Sequence, residues 1–251
     1  MKIFRVIYLS SLHVALATGV CAAAFFELTG NALRTQWVSL LQIVLVCWLI
    51  YILDRLLDVI RGNTGTERHQ YHFENQYNLQ ILAIALVVIN TFLLFFQSKE
   101  IIYFGVATGM GVGIYLMWVV PRYPNAKDYV MPLLYVAAVV GVPFVSASSI
   151  GLSAWLTAFI FTLLVFQNLT SFAYFEQGKT IKRRAVTYMG GVNIFLFILF
   201  FSGNTAYVNR LALIFTGISV FYAFIINNEK RFSVRYRWIM DTLLFLPLLI
   251  L

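Results

Sequence analysis

Long apolar runs alternate with short polar ones along the whole chain, and the apolar runs have the length of a bilayer crossing. A transmembrane helix needs about 20 consecutive, mostly apolar residues. Nine such runs are readable, at roughly 6–27, 37–60, 79–98, 101–120, 130–149, 152–175, 185–202, 206–227 and 236–251, the last of them short. The pattern predicts an all-α integral membrane protein: one domain over residues 1–251, folded as a bundle of nine transmembrane helices.

The polar stretches between the runs also alternate. Those after the second, fourth, sixth and eighth runs (61–78, 121–129, 176–184, 228–237) are long or basic. Those after the third, fifth and seventh are short and nearly uncharged. Of the 18 Lys and Arg residues, only Arg34, Lys99 and Arg210 fall on the second side. Basic loops stay in the cytoplasm, so the expected topology puts the N-terminus and every dense polar cluster inside and the C-terminus outside. The expected residence is the bacterial inner (plasma) membrane.

Composition narrows the class further. The 251 residues are 61% hydrophobic and 11% charged, with mean hydropathy +0.83. A soluble domain of this length is excluded by that balance. The net charge of +8 belongs to the loops and is not the mark of a nucleic-acid partner. Cys21 and Cys47 lie inside apolar runs and read as core thiols rather than as a disulfide or a metal site. The first run lacks a cleavage site and reads as a retained helix. Gly105, Gly109, Gly111 and Gly113 share one run, and small residues at that spacing predict close helix packing.

Candidate chemistry gathers on the cytoplasmic side. Asp54 and Asp58 are four residues apart at the end of the second run, hence on one helix face, with Arg61 a turn further. Charge at the edge of a span is costly and marks function by default. Paired carboxylates there suit magnesium, which in turn holds phosphate. The cluster continues through Glu67, Arg68, His69, His72 and Asn75; the two histidines read first as part of an exposed interfacial loop. A second cluster is Arg122-Tyr123-Pro124-Asn125-Ala126-Lys127-Asp128. A third runs from Gln167, Asn168 and Ser171 through Glu176, Gly178, Lys179 and Lys182 to Arg184. Asp241 is a lone intramembrane acid, and His13 reads as a core hydrogen-bonding residue.

Spans and motifs together resemble the UbiA-type intramembrane prenyltransferases. Asp54-Arg55-x-x-Asp58 is similar to the second half of that family's first motif, Asn-Asp-x-x-Asp-Arg-x-x-Asp, with Ile50 and Tyr51 where the leading pair stands. Tyr123-Pro124-x-x-Lys127 looks like the family's Tyr-Pro-x-x-Lys loop between helices four and five. The stretch from Gln167 to Lys179 occupies the place of the second motif, whose two aspartates fall on Ser171 and Phe175, with Glu176 one residue beyond. The resemblance implies a UbiA-like nine-helix bundle with a cytoplasmic active site. It implies transfer of an isoprenyl group from its diphosphate to an aromatic, quinone-precursor or lipid acceptor. Asp54 and Asp58 would act in catalysis and, with Glu176, hold magnesium, here a single ion. Arg61, Arg68, Tyr123, Lys127, Asn168, Lys179 and Lys182 would hold the diphosphate. Three alternatives stay open: a non-catalytic relative that binds a polyisoprenoid or serves as an assembly subunit, a terpene cyclase, and a transporter.

Overall fold

The computed structural model describes residues 2–62, 65–123, 126–177, 180–200, 205–232 and 236–251. Helices dominate. In chain order they are α1 (Lys2–Leu9), α2 (Leu12–Leu28), α3 (Trp37–Ile60), α4 (Glu67–Glu74), α5 (Gln76–Leu93), α6 (Lys99–Ile114), α7 (Lys127–Val136), α8 (Leu152–Gln177), α9 (Thr180–Phe200), α10 (Ala206–Asn227) and α11 (Tyr236–Leu243). Among the described residues, six helical segments are long and apolar enough to cross a membrane: Gln76–Phe96, Lys99–Arg122, Lys127–Val145, Leu152–Phe175, Lys182–Phe200 and Ala206–Asn227. They mark an integral membrane protein. Helix α3 matches them in length with 24 residues, and α2 is a shorter apolar helix of 17.

Of the nine expected runs, the first and the last are interrupted in the structure. The first run breaks at Ser11, whose φ of 60° lies in the left-handed region that a residue with a Cβ enters only at a cost. The last run is an eight-residue helix, then a turn, then the 3-10 segment Leu246–Leu249. Pro247 in that segment has no N–H with which to continue an α-helix.

The core gathers around α2, α8 and α10. Phe25, Phe161 and Phe215, one from each, are fully buried. Their rings lie 5.0–5.9 Å apart, within the range of favourable aromatic pairing. Polar groups clamp α8, α9 and α10 together. Gln167 Nε2 donates to the carbonyls of Val186 (2.8 Å) and Ser219 (2.9 Å). Ser219 Oγ donates back to Gln167 Oε1 at 2.6 Å. Interhelical hydrogen bonds of this kind act as glue where apolar burial does not distinguish protein from lipid. Gln167→Leu should cost about 1–3 kcal/mol, because it leaves buried partners unsatisfied; thermal unfolding in detergent measures it.

Within the glycine run, close packing occurs at Gly111, where a Cβ would lie 3.4 Å from the Leu134 side chain of α7. A Cβ built on Gly105 or Gly109 meets nothing within 4 Å. A tighter approach to α6 is at Gly141, where a Cβ would overlap the Phe104 ring. Gly141 closes a π-helical turn, Ala137–Gly141, and a second such turn spans Tyr115–Val119 at the end of α6. Single π turns within helices recur at functional sites. The second lies beside the carboxylate cluster, where the Leu116 carbonyl accepts from Arg61 Nη2 at 3.0 Å.

Candidate functional site

Helix α3 carries both carboxylates on its inward face, 3% and 7% exposed for Asp54 and Asp58. An isolated buried carboxylate is strongly disfavoured, so each needs a cation or donors nearby. Lys127, the first residue of α7, supplies it. Its Nζ lies 3.0 and 3.1 Å from the two Asp54 oxygens and 3.4 Å from Asp58 Oδ2. Asp58 is further flanked by Arg55 Nη1 at 3.5 Å and His69 Nε2 at 3.4 Å. Arg55 Nη1 and His69 Nε2 are themselves 2.8 Å apart. The other ring nitrogen, His69 Nδ1, lies 2.8 Å from Thr66 Oγ1.

The loop after α3 is not uniformly exposed, contrary to the interfacial-loop reading. Thr66 caps α4 by accepting from the His69 N–H, and α4 turns Arg68 and His72 inward, where both are buried. Arg68 Nη2 lies 3.5 Å from Asp241 Oδ2 on α11. His13 Nε2 of α2 reaches the same oxygen at 3.1 Å, and the Arg68 guanidinium stacks 4.4 Å above the Tyr8 ring. The lone intramembrane acid and the core histidine are thus partners. His72 Nδ1 donates to the Arg68 carbonyl at 2.8 Å, while its Nε2 is buried without a partner among the described residues.

Burial lowers the His72 pKa below the ordinary histidine value. The unfolded chain then binds the His72 proton at a higher pH than the folded one does. The contribution to stability is present above about pH 6.5 and is lost as the pH falls through and below that value. Unfolding midpoints in detergent should drop between about pH 6.5 and 5 in the parent and drop less in His72→Leu.

Arg55, Asp58, Arg68, His69, Lys127 and Asp241 of these groups line a cavity of about 480 Å³. Arg55, Arg61, Arg68, Lys127 and Arg237 line it, against Asp58, Asp128 and Asp241. Basic side chains outnumber acids, so the basin favours an anion. Its apolar walls include Val14, Val165 and Leu244, and it shares Tyr51, Met131 and Tyr135 with a second, apolar cavity of about 310 Å³.

The sequence-derived candidates divide accordingly. Asp54, Asp58 and Lys127 meet directly. Asp58, Arg61, Arg68, Lys127 and Asn168 line the polar cavity, and Asn168 Oδ1 is buried with no partner among the described residues. Lys182 stands one link back, holding Asp128 at 2.7 Å. Tyr123 is 59% exposed and does not line the cavity, because the chain leaves the helix there with φ −134°. Lys179 and the Glu176 side chain lie outside the described residues. Of the positions matched to the second motif, Ser171 is buried and donates to the Gln167 carbonyl at 2.7 Å. Phe175 stacks on Tyr236 with ring centres 4.1 Å apart. Among the described residues no group of three or more His, Cys, Asp or Glu side chains converges.

Arg55, His69, Arg237, Tyr51 and Tyr135 are site residues that the sequence reading did not assign. Tyr51 had a signal: it precedes Asp54 by three residues and Asp58 by seven, so the three share a helix face. Arg237 and Tyr135 had none, since tertiary packing alone brings α11 and α7 to the cavity. No family model, no curated protein and no solved structure matches this chain.

Proposed function

We propose that this chain is an intramembrane prenyltransferase acting on an isoprenyl diphosphate. The observation that carries the proposal is the convergence of Asp54 and Asp58 on the Lys127 ammonium, with Asp58 and Lys127 lining a cation-rich cavity. A diphosphate with a long apolar tail matches such a cavity in charge and polarity. Arg55, Arg61 and Lys127 are placed to neutralise the head group, and Asn168 offers an amide. The tail lies along the apolar wall formed by Val14, Val165 and Leu244.

The two carboxylates fit a single magnesium ion. Their oxygens already reach a common cationic point, and a hard cation held by one or two carboxylates completes its shell with phosphate and water. Bound there, magnesium would supply further neutralisation of the diphosphate. The chain's own residues do the rest. Lys127 moves from the carboxylates to the phosphate oxygens. The C1–O bond breaks with its electron pair leaving on diphosphate, and the basic side chains stabilise that charge. The acceptor forms its bond to C1 and gives up a proton to the departing diphosphate. In this reading the basic face is cytoplasmic and the membrane is the bacterial inner membrane.

A second reading, retention of a polyisoprenoid without turnover, is favoured by one observation: Ser171 and Phe175 are committed to helix packing, so the second motif brings no carboxylate of its own. The two part in one assay. Purified protein in lipid nanodiscs receives geranyl to long-chain prenyl diphosphates, with magnesium or with chelator. Magnesium-dependent release of pyrophosphate supports the transferase. Tight binding without release supports the retention reading, and neither binding nor release overturns both.

A further inference from the structure

The apolar cavity is bounded by α3, α5, α6 and α7, and two features set it apart from ordinary helix packing. Its α6 wall includes Gly105 and Gly109, beside which there is open space rather than a packed neighbour. Two residues that line this same cavity, Asn90 and Tyr115, also carry buried polar atoms without partners among the described residues, the Asn90 Oδ1 atom and the Tyr115 hydroxyl. Asn90 is 8% exposed. Its Nδ2 donates to the Leu86 carbonyl at 2.8 Å, and its backbone carbonyl accepts from Gln42 Nε2 at 3.2 Å. The nearby Ser39 hydroxyl is turned to Gln97 Oε1 at 2.8 Å. The amide oxygen is therefore the acceptor left open at that end. A buried acceptor without a donor costs about 1–3 kcal/mol, so an open acceptor on a residue that lines a cavity points to a ligand.

We propose that this cavity binds a lipid-soluble molecule whose hydroxyl group donates to Asn90 Oδ1. Its apolar body lies against Gly105, Gly109 and Val112, and its other end reaches toward Tyr51 and Tyr115. Gln42 and Tyr51 are nine residues apart on α3, about 13 Å along the helix, which sets the length of the occupant. The volume of about 310 Å³ is at the lower end for small-molecule sites, which are mostly apolar with a few placed polar groups. An aliphatic alcohol and a phenol share the recognised chemistry. This site is independent of whether the neighbouring basin ionises a diphosphate.

The test is competition binding to the full chain in detergent, with tritiated 1-dodecanol as the tracer. The competitors are 1-dodecanol and its methyl ether, and 4-nonylphenol and its methyl ether. Methylation removes the donor and keeps the apolar body. The hydroxyl form should bind roughly tenfold tighter than the matched ether. Asn90→Leu, which replaces the amide with an apolar group of similar size, should erase that difference. Gly109→Leu, which fills the open space, should abolish binding of the whole set; both variants are first checked for an unchanged gel-filtration profile. Preference for the alcohol or for the phenol identifies the class of occupant, and either supports the site. Equal binding of hydroxyl and ether forms by the parent, selectivity that survives Asn90→Leu, or parental binding by Gly109→Leu would each overturn it.

Discussion

Asp241→Ala is expected to be the most destabilising single substitution outside the aromatic core, at about 3–5 kcal/mol. The pair it breaks is buried: the side chains of Arg68 and Asp241 are 7% and 2% exposed. Removing the acid leaves a guanidinium in a low-dielectric site, with the Tyr8 ring and the His13 nitrogen as its neighbours. The desolvation cost of that charge is then uncompensated. Thermal unfolding in detergent should show a midpoint lower by roughly 10 °C. Replacing both partners, Arg68→Met with Asp241→Leu, should recover most of the loss, because no buried charge then remains. A double variant as unstable as the single one would show that the charges are needed for something other than each other. The same pairing qualifies the sequence reading of Arg68 as a diphosphate ligand, since its nearest charge partner is Asp241.

The second large effect concerns the proposed chemistry. Asp58→Asn and Asp54→Asn should each lower pyrophosphate release from a prenyl diphosphate by about 100-fold or more, the usual consequence of removing a preorganised charge from a dry site. Asparagine keeps the shape and removes the charge that organises Lys127, Arg55 and, when bound, the cation. Ser171→Ala is the control. Its hydroxyl is turned to the Gln167 carbonyl within α8, so release should stay within about twofold of the parent. Equal losses in Asp58→Asn and Ser171→Ala would mean that the second motif takes part in the chemistry in altered form. Unchanged release in both aspartate variants would remove these carboxylates from the mechanism.

Much of the site was legible because helical periodicity is local. The spacing of Asp54 and Asp58 alone put them on one face, and the cost of charge at the edge of an apolar run alone made them candidates. Lys127 was reached by motif resemblance, and its contact with both acids is a tertiary fact. His72 was read as part of an exposed loop and Arg68 as a diphosphate ligand, since a polar octet, Glu67–Glu74, has no apolar face to declare burial. What orders Arg68 there is Asp241 of α11 and His13 of α2, far away in sequence. The glycines of α6 were only partly legible for a related reason: Gly111 meets Leu134, while Gly105 and Gly109 meet open space. Small residues permit close approach but do not compel it, and whether a neighbour arrives is decided elsewhere in the bundle.

The sequence by itself determined the all-helical membrane class, the long apolar segments and the uneven distribution of basic residues, because each depends only on residues near one another and on the bilayer's thickness. It did not determine where helices break. Ser11 and Pro247 interrupt apolar runs that composition alone reads as continuous. Only the tertiary structure decided which charges meet: Lys127 with Asp54 and Asp58, Arg68 and His13 with Asp241, Lys182 with Asp128. Coulombic pairing in a low-dielectric interior acts over a few ångströms of space and does not depend on separation along the chain. The two cavities are likewise properties of the packing, because a cavity is defined by what distant helices fail to fill.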